Sequence, residues 1–163
     1  MNSIGSENLV EFQKLNVFEA IKKKDLLYSL EAVKKNGLFL KYGIQTEEIC
    51  LEAVKQNGQA LKDVKSEFMT EEICLEAVKQ NGYAVKDVKP EFMTEEICLE
   101  AVKQNGFALK HIKKQTEKIC LEAVKQNGFA LIYVKKQTEK ICLEAIKQNG
   151  LAIRFIKKDF IYK

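Results

Sequence analysis

Five cysteines and one histidine are the side chains of this 163-residue chain best suited to metal binding or nucleophilic attack. Cys50, Cys74, Cys98, Cys120 and Cys142 never form a C-x-x-C pair, and His111 alone adds too little to complete a coordination sphere. Stacked helices lie about 8–10 Å apart, beyond the roughly 7 Å limit on Cα separation for a disulfide. The spacing therefore predicts small buried thiols, no metal and no cofactor. Glu52, Glu76, Glu100, Glu122 and Glu144 stand three residues before Lys55, Lys79, Lys103, Lys125 and Lys147. Carboxylates and amines in such rows could support acid–base chemistry, but at that spacing they pair weakly on a solvated helix face. No catalytic residue is predicted, and the chain is read as a non-enzyme without a small-molecule substrate.

The cysteines recur because a longer unit recurs. Thr46–Gly58 reads TEEICLEAVKQNG, returns unchanged at Thr70 and Thr94, and returns with one or two changes at Thr116 and Thr138. The first two intervals are 24 residues and the next two are 22. A weaker copy covers Asp25–Gly37 with Ser29 in the cysteine position, and Asn16–Lys22 resembles half a copy. A fixed period of this size marks a repeat array. The predicted organisation is an N-terminal helical cap over 1–24 and a helical repeat array over 25–163, with copies at 25–45, 46–69, 70–93, 94–115, 116–137 and 138–163.

Each copy should begin with a helix of about ten residues. Thr46 is a suitable N-cap, Glu47 and Glu48 favour the positive end of the helix dipole, and Gly58 is expected to end the helix in the left-handed conformation. At about 100° per residue, Ile49, Cys50, Leu51, Ala53 and Val54 cover more than half of the circumference. So wide an apolar arc on a short helix must be covered by neighbours on both sides. Ala60, Leu61 and Val64 then predict a second helix of one to two turns. Lys65–Met69 and Lys89–Met93 carry the two additional residues of the longer copies, and Lys157–Tyr162 is expected to close the stack. The fold class is all-α: short helix-turn-helix repeats of 22–24 residues stacked as an α-solenoid.

The string Ala-Val-Lys-Gln-Asn-Gly-x-Ala-Leu, as at Ala101–Leu109, resembles the signature of domain-of-unknown-function family 4116. The resemblance runs from about Asp25 to the C-terminus and implies an all-helical repeat fold with no established catalytic residue to carry over. The first copy departs from the pattern, with Phe39 in place of alanine and Gly43 in place of Val64 or Ile112, so an irregular second helix is expected there.

Repetition reveals the scaffold, and the positions that differ between copies carry what is particular to this chain. The slot after the glycine holds Leu38, Gln59, Tyr83, Phe107, Phe129 and Leu151; the slot four residues on holds Tyr42, Asp63, Asp87, His111, Tyr133 and Phe155. Phe107, His111, Phe129, Tyr133 and Phe155, with Lys135, Lys136 and Arg154 nearby, are the candidate binding residues for a protein partner. The competing reading packs the aromatics into gaps between the second helices. Residues 46–93 carry ten acids and six lysines, whereas 94–163 carry eight acids and fourteen bases. RNA is a second candidate partner for that basic half, although one arginine and no base-reading motif favour a solvated face.

No stretch approaches about 18 uncharged apolar residues, and Met1–Glu7 lacks a secretory pattern, so neither a membrane span nor secretion is expected. Free cysteines in odd number suit a reducing, cytoplasmic setting. Twenty-seven basic residues with Arg154 as the one arginine suggest an AT-rich genome. The leading functional expectation is a non-enzymatic scaffold that binds a protein through an extended surface. The alternative is a phage or mobile-element inhibitor of a bacterial defence nuclease, anti-CRISPR-like, which occludes protein or RNA.

Overall fold

The structure, a computed structural model, describes residues 22–157. Six α-helices follow in order: α1 over residues 22–35, α2 at Glu47–Gln56, α3 at Glu71–Gln80, α4 at Glu95–Gln104, α5 at Glu117–Gln126 and α6 at Glu139–Gln148. Each of α2 to α6 starts where its threonine caps it: the Thr46 hydroxyl accepts from the Ile49 N–H at 3.3 Å, as Thr116 does from Ile119. The predicted apolar arc is the one that packs. Ile49, Cys50, Ala53 and Val54 are buried and Leu51 is half-buried, while Lys55 and Gln56 are exposed. Consecutive helices from α2 to α6 pack side by side and one hydrophobic core runs through the array, as in a helical solenoid.

The second element of each copy is a six-residue 3-10 helix, not a short α-helix. Residues three apart eclipse one another in a 3-10 helix, and burial follows that period. Gly58, Leu61 and Val64 are buried in one row, Gln59, Lys62 and Lys65 are exposed in another, and Asn57 and Asp63 flank buried Ala60 in the third. Short 3-10 turns at Ser66–Phe68 and Pro90–Phe92 accommodate the two extra residues of the longer copies.

The helix end also differs from the expectation. Asn57 is the C-cap in an extended conformation, φ −153° and ψ 108°, and Gly58 opens the 3-10 helix that follows. The Asn57 side chain accepts from the Gln59 N–H at 3.0 Å, so asparagine does the capping. Glycine is required for another reason. A Cβ on Gly106 would lie 2.5 Å from the Ala123 carbonyl oxygen in the next copy, so the backbones touch where only hydrogen fits. The Gly106 N–H donates to Gln126 Oε1 at 2.7 Å across the same junction, as Gly37 does to Gln56 and Gly128 to Gln148.

The first copy is regular despite Phe39 and Gly43. Its 3-10 helix, Gly37–Tyr42, has the common length and buries Leu40. Ser29, in the cysteine position, accepts from the Ile44 N–H and donates to the Asp25 carbonyl, each at 2.9 Å. Helix α1 runs unbroken through residues 22–35, across the boundary expected between cap and array at 24 and 25. Apart from Lys22 and Lys157, the half-copy at Asn16–Lys22 and the closing tail at Lys157–Tyr162 lie outside the described residues.

Candidate functional site

The two variable slots meet across every junction in the second half of the array. The first slot of one copy packs against the second slot of the next as an edge-to-face pair. Tyr83 meets His111 with ring centroids 5.0 Å apart and planes at 83°; Phe107 meets Tyr133 at 6.0 Å and 88°; Phe129 meets Phe155 at 5.7 Å and 82°. All five aromatic candidates therefore join one ladder along the row of 3-10 helices. Phe107 is exposed, whereas His111, Phe129, Tyr133 and Phe155 are half-buried, so part of each ring serves the junction and part faces solvent.

The basic candidates divide. Lys135 donates through Nζ to the Lys113 carbonyl at 2.7 Å, and Lys157 does the same to the Val134 and Lys135 carbonyls at 3.0 and 2.8 Å. These amines finish loop carbonyls of the preceding copy. Lys136 and Arg154 are exposed. Burial, with Lys110 and Lys86 nearby, lowers the pKa of His111 against the opposing pull of Asp87. Its Nε2 is buried and has no hydrogen-bond partner.

Ile132, exposed at 52%, occupies a slot that holds Lys41, Lys62, Lys86 and Lys110 in earlier copies. Comparing that slot across copies identifies it as readily as the two aromatic slots. A second set of residues left out by sequence reasoning sits just before the capping threonines. Gln115 threads its amide between copies: Nε2 donates to the Leu109 and Ile112 carbonyls at 3.3 Å and to the Tyr133 carbonyl at 3.0 Å, while Oε1 accepts from the Lys135 N–H at 2.9 Å. Gln137 repeats this toward Leu131, Phe155 and Lys157, and Gln45 toward Leu40, Asp63 and Lys65. In the longer copies Met69 and Met93 hold that position.

All five cysteines are free and buried. Burial raises the Cys50 and Cys74 thiols to about 11, so they stay protonated and weakly nucleophilic near neutrality. Cys50, Cys120 and Cys142 lie 3.6, 3.8 and 3.9 Å from the Oε1 of Gln45, Gln115 and Gln137. Among the described residues no three histidine, cysteine or carboxylate side chains gather as a metal site. Glu76–Lys79 and Glu144–Lys147 pair at 2.6 and 3.7 Å within their own helices. Among the described residues no helix is long and apolar enough to cross a membrane.

Stacked helix pairs, interlocked by glutamine and glycine and carrying a variable ladder on one row, define a helical-repeat protein. The family described as Domain of unknown function (DUF4116) matches five overlapping times, at residues 25–69, 46–93, 70–117, 94–137 and 116–161, and the chain belongs to that family. Each match spans two copies, the smallest unit that contains one complete junction. No curated protein and no solved structure matches the chain.

Proposed function

We propose that this protein is a non-enzymatic scaffold whose 3-10 row binds a protein partner, with the aromatic ladder of copies four to six at the centre of the interface. The observation that carries the reading is Ile132. An isoleucine stands exposed where earlier copies place lysine, between Phe129 and Tyr133 on one 3-10 helix. An apolar side chain in a slot that the fold otherwise leaves to a charge has no role in the junction, and its removal from water would favour association. Phe107 and the outer parts of Tyr133 and Phe155 extend the surface, and Lys136 and Arg154 supply charge at its rim.

The test begins with the full chain as bait in extract of its source cells, followed by kinetics with the partner recovered. Ile132→Lys and Tyr133→Ala should each weaken binding by about 2 kcal/mol, mostly through faster dissociation. Lys136→Glu should slow association in a salt-dependent way. If all three bind like the parent while changes at Glu76 or Lys79 abolish binding, the repeated helical face is the interface instead. Release of the captured partner by ribonuclease would assign the basic half to RNA.

A further inference from the structure

A cavity of about 540 Å³ lies at the junction between the copies at 70–93 and 94–115. Among its lining residues are Val85, Val88, Cys98, His111 and Lys113. These five are the counterparts, one copy earlier, of Leu109, Ile112, Cys120, Tyr133 and Lys135. Those later five are the residues around the Gln115 amide: three carbonyls that accept from its Nε2, one N–H that donates to its Oε1, and one thiol 3.8 Å from that oxygen. The cavity is thus the socket of a glutamine amide at a junction where the chain supplies Met93, whose thioether cannot donate a hydrogen bond and accepts one weakly.

Two further features keep the socket open. Val85 stands where other interior copies have Leu40, Leu61, Leu109 and Leu131, so the wall is one methylene shorter. Met93 is half-buried, whereas Met69 at the preceding junction is 7% exposed and counted in the core. Among the described residues no side chain hydrogen-bonds to the Lys113 N–H or the His111 carbonyl, whereas Gln115 serves both equivalent groups one copy later. Lys113 is exposed as a residue and His111 half-buried, and polar groups that line a cavity without partners favour a ligand that satisfies them.

We propose that this cavity binds a small primary carboxamide that also carries an anionic group. The ligand's NH₂ takes the place of Gln115 Nε2 and donates to the carbonyls of Val85, Val88 and His111; its carbonyl oxygen accepts from the Lys113 N–H. Lys86 and Lys114 line the same cavity and favour the anionic substituent, against one carboxylate, Glu95. Val85, Pro90, Met93 and Ile119 supply the apolar wall for the body of the ligand. The site shares His111 with the aromatic ladder, but its polar contacts are made by backbone groups, and it stands whether or not the partner-binding reading does.

Succinamate, which joins a primary amide to a carboxylate, is the probe. Titrated into the full-length ¹⁵N-labelled chain, it should shift the Lys113 amide resonance saturably, with a Kd of order 1 mM for so few atoms. Succinate and N,N-dimethylsuccinamate should bind at least about tenfold more weakly, since each loses the amide donors. Met93→Gln should fill the socket from within, abolish succinamate binding and slow exchange of the Lys113 N–H to the level of Lys135. Lys113→Pro gives a second route. The change deletes the N–H, and binding is then read on the neighbouring Lys114 amide. It should remove the preference for succinamate over succinate. Equal shifts from succinamate and succinate, no saturable shift at all, or unchanged succinamate binding by Met93→Gln would overturn the proposal.

Discussion

Helices α5 and α6 differ at one position in ten, Val124 against Ile146, yet they live in different environments. In α5, Leu121 is half-buried and Val124 fully buried, and the following Gly128 meets the Ala145 carbonyl of the next copy. In α6, Leu143 is 51% exposed and Ile146 half-buried, and among the described residues nothing approaches the position a Cβ would take on Gly150. Leu131 is completely buried, and its counterpart Ile153 is 60% exposed. The difference shows that a residue's work in this fold is assigned by the copy that follows it. Nearly the same ten residues form a covered helix or a half-exposed one according to whether a further described copy is stacked on them.

Charge insertion should break the comparison most widely. Ala101 is fully buried in α4, so Ala101→Glu would place an unpaired carboxylate between helices and should cost about 3–5 kcal/mol. Leu143→Glu, on the half-exposed face of α6, should cost about 1 kcal/mol or less, as should Glu100→Ala. Thermal and urea melts of the three variants would decide it, and equal losses would refute the interior packing.

The glycine pair isolates the same contrast with one methyl group. Gly106→Ala sets a Cβ against the Ala123 carbonyl and should cost about 1–3 kcal/mol as backbones separate. Gly150→Ala meets nothing within 4 Å among the described residues and should lie within about 0.5 kcal/mol of the parent. Hydrogen exchange would locate the damage, with protection lost on both sides of the junction between the copies at 94–115 and 116–137 and unchanged at α6.

The smallest expected effect separates glutamine junctions from methionine junctions. Cys74→Ser buries a hydroxyl in a copy where Met69 replaces the glutamine and should cost about 1–3 kcal/mol. Cys120→Ser finds Gln115 Oε1 close by and should cost roughly 1 kcal/mol less. Ser29 already occupies this slot in the first copy with both of its hydrogen bonds made. Equal losses at the two sites would mean that the glutamine does not receive the hydroxyl.

The repeat, the limits of α2 to α6 and their buried faces were legible in the sequence, because capping and a 3.6-residue apolar period depend on neighbours along the chain. The 3-10 geometry was partly legible: Leu61 and Val64 are three apart, a spacing that an α-helix also allows. The role of Gly58 was misjudged because a glycine after a helix usually ends it, whereas here Asn57 caps and the glycine admits the next backbone. Across the junction the Gln115 amide reaches residues 18 and 20 positions away, and the ring pairs join residues still farther apart, so no local pattern announces such a contact. Phe107 and Tyr133 were both visible as variable residues. That they touch each other required the stack.

The glutamine staple has a genetic consequence. Gln115 and Gln137 each precede a threonine, a cysteine and a glycine at the same distances, so excision of residues 116–137 would join Gln115 to Thr138 and reconstitute the junction that Gln137 now makes with Phe155 and Lys157. Duplication of the same stretch would add a junction of the same kind. A loss or gain of those 22 codons would therefore leave no mismatched seam in the protein, while the ladder residues record which copy is which.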